Sequence, residues 1–171
     1  NSIVRDSNGG IWVGSEKNGL GYFKNETWQY YGREEGLLNT EITSLYLDPV
    51  EGFTVGTTSG MYLLQGSGFK SEQRFEGIRI NKVKKDDEGN LWVLTVGGAD
   101  VRRKNGSWST ISTKDGLSNN DIRDVLVDLE GTIWMATYRG VLNQLREVKF
   151  KTFSADQGLE VEAIGAIQQL D

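Results

Sequence analysis

Two pairs of adjacent carboxylates, Glu34-Glu35 and Asp86-Asp87, are the side chains whose types could carry acid–base or calcium chemistry. Their spacing argues against both. Neighbouring residues on a strand point to opposite faces, and neither pair has the alternating oxygen ligands of a calcium loop, so solvated charge is the plainer reading. The chain has no His and no Cys, which removes the commonest general base, the commonest metal ligand and every thiolate site. No catalytic residue, metal site or cofactor is expected. A different chemistry is open to Tyr138 with Arg139 and, in a related position, to Lys17 with Asn18. An aromatic face beside planar hydrogen-bonding groups suits recognition of a sugar, and solvated loop residues are the ordinary alternative.

These residues need a scaffold, and composition narrows its type. Of 171 residues 37% are hydrophobic, enough for a real core, and 22 Gly against a single Pro favour many short strands joined by tight turns. The net charge of -5, with Lys and Arg scattered, leaves no basic stripe for a phosphate backbone, so nucleic acid is an unexpected partner. No apolar run approaches the roughly 18 residues of a membrane span. Contact with a membrane is therefore expected only through segments outside this chain.

An internal repeat organises the rest. Asp6-Ser-Asn-Gly9-Gly-Ile-Trp12-Val-Gly14-Ser15 aligns with Asp86-Asp-Glu-Gly89-Asn-Leu-Trp92-Val-Leu94-Thr95 and with Asp128-Leu-Glu-Gly131-Thr-Ile-Trp134-Met-Ala136-Thr137. A weaker copy runs from Asp48 to Thr57, with Thr54 in place of Trp. A second phrase, Glu35-Gly36-Leu37-Leu-Asn39, returns as Asp115-Gly116-Leu117-Ser-Asn119 and Gln157-Gly158-Leu159. Two phrases at matching phase define repeats of approximately 1–41, 42–79, 80–121 and 122–163, with 164–171 the first strand of a following unit.

Within the fourth repeat, 122–128 reads as an apolar strand, and Asp128 to Gly131 as turn chemistry, with the Asx side chain bonding backbone and Gly permitting positive φ. Further strands follow at 132–138, 140–146 and 148–153, the last with period-two alternation. Four antiparallel strands per repeat make a propeller blade, so the expected fold is all-β, a β-propeller with about four blades in this chain. The repeated aspartates then belong to turns, Trp12, Trp92 and Trp134 fill the space between blades, and the small residues Gly14, Gly56 and Ala136 suit a crowded inner region. Tyr138-Arg139 and Lys17-Asn18 fall in loops between second and third strands, at the end where loops 32–41, 112–121 and 154–163 also emerge.

The combined pattern resembles the two-component regulator propeller repeat, most fully from Ser2 through Gly19-Leu20-Gly-Tyr-Phe23 to Gly36-Leu37-Leu-Asn39. That resemblance covers nearly the whole chain. It implies a periplasmic or otherwise extracytoplasmic sensor region of a bacterial hybrid two-component or histidine kinase system, a membrane signalling receptor that recognises carbohydrate fragments or another small molecule. Thr54, and Val96-Gly-Gly-Ala-Asp100 where Gly-Leu belongs, are departures that predict irregular second and third blades. Family propellers resemble rings of about seven blades, so the expected partners also include further blades, from a longer parent chain or from a second copy completing a ring. The rival readings are a propeller lyase or glycosidase, and a structural, protein-binding propeller. The lyase requires a His base that is missing here, and the glycosidase two carboxylates facing one sugar.

Overall fold

The structure, a computed structural model, describes residues 2–146, 149–159, 164, 165 and 167. Its strands form four antiparallel sheets of four. The first blade holds β1 (Ser2–Arg5), β2 (Ile11–Gly14), β3 (Leu20–Lys24) and β4 (Thr27–Tyr31). In the second are β5 (Ile42–Asp48), β6 (Gly52–Thr57), β7 (Gly60–Gln65) and β8 (Gly68–Ser71). The third comprises β9 (Ile80–Lys85), β10 (Leu91–Thr95), β11 (Ala99–Arg102) and β12 (Trp108–Ile111), and the fourth β13 (Ile122–Val127), β14 (Ile133–Thr137), β15 (Val141–Arg146) and β16 (Lys149–Phe153). Sequential up-down order in every sheet is the β-propeller blade. The chain divides into two compact units, residues 1–83 and 84–171. Of the strand expected over 164–171, only 164, 165 and 167 are described, none of them in a strand.

Both departures from the repeat leave complete blades. Thr54 is buried in β6, and the Gly97-Gly98 pair closes a tight turn in which Thr95 N donates to Gly98 O. Gly98 is required there: its φ is 137°, and a Cβ would lie 2.6 Å from Ile111 O. Ala99, fully buried, then starts β11 where the first blade has Leu20.

The aspartates of the repeat hold the first hairpin of each blade. Asp128 Oδ1 accepts from the backbone N–H of Glu130 and Thr132 at 3.0 and 2.8 Å, while Oδ2 accepts from Trp134 Nε1 at 2.9 Å. Asp86 likewise accepts from Asn90 N and from Trp92 Nε1, both at 2.8 Å. One carboxylate thus satisfies turn amides and fixes the large ring of the second strand. The indole contact and the turn amides hold the Asp128 carboxyl below its ordinary value.

The first blade substitutes Tyr22 for the indole. Its hydroxyl donates to Asp6 Oδ2 at 2.7 Å. That hydrogen bond, with burial, pushes the Tyr22 phenol up to about 12. Burial alone would raise the Asp6 carboxyl, but hydrogen bonds from Tyr22, Gly10 and Asn8 outweigh it and leave the group below its ordinary 3.8. The pairing stabilises the fold fully between the ordinary carboxyl value of 3.8 and the ordinary phenol value of 10. Its contribution disappears as pH rises through about 12, and as pH falls through the depressed Asp6 value. Melting temperatures of the parent and Tyr22→Phe, compared across pH, should therefore differ most inside that window and converge beyond both ends. A pH-independent gap would assign Tyr22 a packing role only.

Adjacent blades meet through apolar faces and through repeated hydrogen bonds between first strands. In residues 1–83, Trp12 packs on Phe53 with ring centroids 4.6 Å apart, inside a buried cluster that includes Leu20, Leu45 and Phe69. A second cluster, around Trp92, Val101, Ile122 and Met135, lies in residues 84–171. Ser2 Oγ accepts from Leu45 N at 3.1 Å, and Ser44 Oγ from Val83 N at 3.0 Å. Asp124 Oδ2 accepts from Ile167 N at 3.0 Å. First strands leave one edge unpaired by the ladder, and these side chains satisfy it. Gly14 and Gly56 are crowded as their small size suggests: a Cβ would come within 2.5 Å of Ile42 and 2.8 Å of Ile80 respectively.

Candidate ligand-binding site

Four antiparallel strands in up-down order bring the turn between second and third strands to the same sheet end as the connection into the next blade. In each blade that end is shaped by the Ser or Thr closing the second strand. Thr137 Oγ1 donates to Val141 O at 3.0 Å, and Thr57 and Thr95 donate to Gly60 O and Gly98 O, both at 2.9 Å. Ser15 works differently, accepting from the N–H groups of Lys17 and Asn18 at 3.2 Å each. A hydroxyl thus sets the shape of every such turn.

In residues 84–171 the turn of the fourth blade builds a cluster. Tyr138 is 49% exposed, large for an aromatic ring beside a buried strand end. The Arg123 guanidinium carbon lies 5.1 Å from its ring centroid and that of Arg139 5.8 Å. Arg123 also pairs with Asp121, Nη2 to Oδ2 at 2.7 Å, and Tyr138 N donates to Asp121 O. Arg139 has φ 71° ahead of Gly140 at 72°. Two successive left-handed residues make a tight hairpin turn in which a non-glycine residue is strained by about 1–3 kcal/mol. The ring and three charged groups are thereby gathered at one blade end.

Tyr138 and Arg139 share this turn, Asp121 reaches it from the end of loop 112–121, and Arg123 is the residue that the sequence did not point to. Arg123 is the extra residue of a register shift in β13 between Ile122 and Asp124, and its Nε is buried without a hydrogen-bond partner. A bulge re-aims the side chain that it carries, which strict alternation does not foresee. Lys17 and Asn18 lie in residues 1–83 with exposed side chains, held through their backbone. At the matching end of the second blade, Thr58 Oγ1 donates to Glu41 Oε2 at 2.9 Å. Among the described residues no three acidic side chains gather to hold a metal ion. What the fourth-blade cluster offers is a half-exposed aromatic ring with two guanidinium groups over it and a carboxylate paired to one of them.

Comparison with known proteins agrees with the repeat. The family model described as two component regulator propeller matches residues 1–17. No curated protein sequence matches the chain. Among solved structures, the extracellular domain of a hybrid two component system from B. thetaiotaomicron is similar at 19% identity and TM-score 0.82, over 98% of this chain and 24% of that one. The extracellular domain of a one component system from the same organism gives 22% identity and TM-score 0.76, over 91% and 25%. Virginiamycin B lyase from Staphylococcus aureus gives 10% identity and TM-score 0.62, over 89% and 54%. The chain spans about a quarter of the length of the first two. Four up-down blades and the shared fold make the chain a β-propeller region, and its opening hairpin, within residues 1–17, is similar to the two component regulator propeller family.

Proposed function

We propose that this region is a ligand-binding sensor propeller on the extracytoplasmic side of a bacterial membrane signalling receptor, and that its ligand is a carbohydrate fragment. The observation that carries the reading is the half-exposed Tyr138 ring with the Arg123 and Arg139 guanidinium carbons 5.1 and 5.8 Å from its centroid and Asp121 paired to Arg123. A pyranose needs an apolar face for its C–H groups and planar donors and acceptors for its hydroxyls, and the cluster supplies both. The similar two component and one component structures support the sensor setting, and among the described residues no helix is long and apolar enough to cross a membrane. Signalling requires that ligand bind two receptor states unequally, with the difference passed on to whatever follows the propeller.

The fold is shared with a lyase, so catalysis is the second reading. A variant of that lyase with one histidine replaced by alanine is catalytically inactive. This chain supplies no histidine. Non-catalytic binding is therefore the better reading of these residues.

Calorimetric titration with a panel of oligosaccharides tests the proposal. A saccharide should bind the parent protein, and Tyr138→Ala should weaken it about tenfold, the equivalent of one aromatic contact of roughly 1.4 kcal/mol. Binding unchanged in both Tyr138→Ala and Arg139→Ala, or no binding by any saccharide, would overturn the assignment.

A further inference from the structure

The side chain that satisfies the next first strand changes along the chain. Ile42, Ile80 and Ile122 stand at one position of the repeat, and two residues further on come Ser44, Lys82 and Asp124. Ser2 Oγ accepts from Leu45 N, Ser44 Oγ from Val83 N, and Asp124 Oδ2 from Ile167 N. Lysine has no acceptor to offer. Val125, which stands where Leu45, Val83 and Ile167 stand, makes a different set of bonds. Its N–H donates to the adjacent Asp124 Oδ1 at 2.9 Å, and its carbonyl accepts from Lys84 Nζ.

Beside these bonds, within residues 84–171, lies a half-open cavity of about 150 Å³. Trp92, Val125 and Val127 give it an apolar wall, and Lys84 and Asp87 a charged one. Val127 ends β13 at the Asp128 turn, the opposite end of the fourth blade from Tyr138. The Lys84 side chain is 28% exposed, and its ammonium group is directed by Val125 O and by Asp124 Oδ1 at 3.6 Å. Two of its three donors are thereby engaged, and one is left for the cavity. Asp86 also lines the space, but its carboxylate is committed to Asn90 and to the indole of Trp92. Asp87 differs: it is exposed and has no partner among the described residues.

We propose that this cavity binds a small apolar α-amino acid as its zwitterion, with the carboxylate toward Lys84, the ammonium toward Asp87 and the side chain along Trp92, Val125 and Val127. A lone anion would face the carboxylates of Asp86, Asp87 and Asp124, and a lone cation the ammonium groups of Lys84 and Lys85. A molecule with both charges close together meets one partner for each, and its apolar part meets the wall. Size sets a matching limit, since a cavity of this volume takes a molecule about as large as benzene. Alanine to valine fall in that range, and an oligosaccharide does not. The site is separate from the Tyr138 cluster and does not rest on the carbohydrate reading.

Calorimetric titration of the 171-residue chain with L-valine, isobutylamine and isovalerate tests the assignment. The last two are valine without its carboxylate and without its ammonium group. L-Valine should bind saturably and raise the melting temperature, and each half-molecule should bind about tenfold more weakly or less. Asp87→Asn should weaken valine binding about tenfold while leaving the melting temperature of the free protein unchanged, because the carboxylate has no partner to lose. Lys84→Met should weaken it as well, but Lys84 also holds Val125, so Asp87→Asn is the deciding variant. Tyr138→Ala should bind valine as the parent does, which separates this site from saccharide binding. No saturable heat from valine or alanine would overturn the proposal. So would isobutylamine or isovalerate binding as tightly as valine, or valine binding intact in Asp87→Asn.

Discussion

Trp92→Ala is expected to lower the unfolding free energy by about 3–5 kcal/mol, the range for a large aromatic side chain removed from a closed core. Only 1% of Trp92 is exposed, and its indole N–H is held by Asp86 Oδ2 at 2.8 Å. Alanine removes the ring and that donor together. A phenylalanine series separates the two effects. Trp92→Phe and Trp134→Phe keep most of the ring but leave Asp86 and Asp128 without the indole donor, so each should lose stability beyond its change in packing. Trp12→Phe should cost less, because Asp6 takes its hydrogen bond from Tyr22 instead. Urea unfolding of the three variants decides the matter. Equal losses at Trp12, Trp92 and Trp134 would show that packing alone sets the role of these rings.

That contrast marks where sequence reading stops. The spacing Asp-x-x-Gly-x-aliphatic-Trp is enough to place a turn and a second strand, because both depend on local backbone preferences repeated at one phase. It does not reveal that the first blade exchanges the indole for a phenol sixteen residues after the aspartate. The signal available is Gly10, which stands where Asn90 and Thr132 stand in the third and fourth blades. A Cβ on Gly10 would be 2.1 Å from the Tyr22 hydroxyl oxygen, so the glycine makes room for the ring. The candidate site divides in the same way. Tyr138 and Arg139 are adjacent in sequence and in one turn, hence readable. Arg123 reaches them only because of the register shift in β13, a one-residue irregularity that alternation of apolar and polar side chains averages away.

Gly36→Ala is expected to be far more damaging than the same change at Gly158, although both glycines open the same Gly-Leu phrase. Each follows a short 3-10 turn, Arg33–Glu35 and Ala155–Gln157, and each has positive φ, 89° and 85°. Left-handed backbone alone costs a non-glycine residue about 1–2 kcal/mol, and among the described residues nothing else lies within 4 Å of a Cβ at Gly158. At Gly36 a Cβ would stand 2.2 Å from Phe69 O, a backbone atom of β8 that cannot turn aside as a side chain would. Gly68 on the same strand is also close, its Cβ position 3.1 Å from Glu35 O, so two glycines line the approach of this turn to the second blade. The turn in turn places Leu37, fully buried among Trp12, Phe53 and Phe69. Relieving the clash means lifting the turn and withdrawing Leu37 from that cluster, so the loss at Gly36 should exceed the backbone term by the partial exposure of a core leucine, a further 2 kcal/mol or so. Equilibrium unfolding of both variants measures the difference directly. Equal effects would mean that the conformation of glycine, and not the approach of the second blade, is what the Gly-Leu phrase encodes.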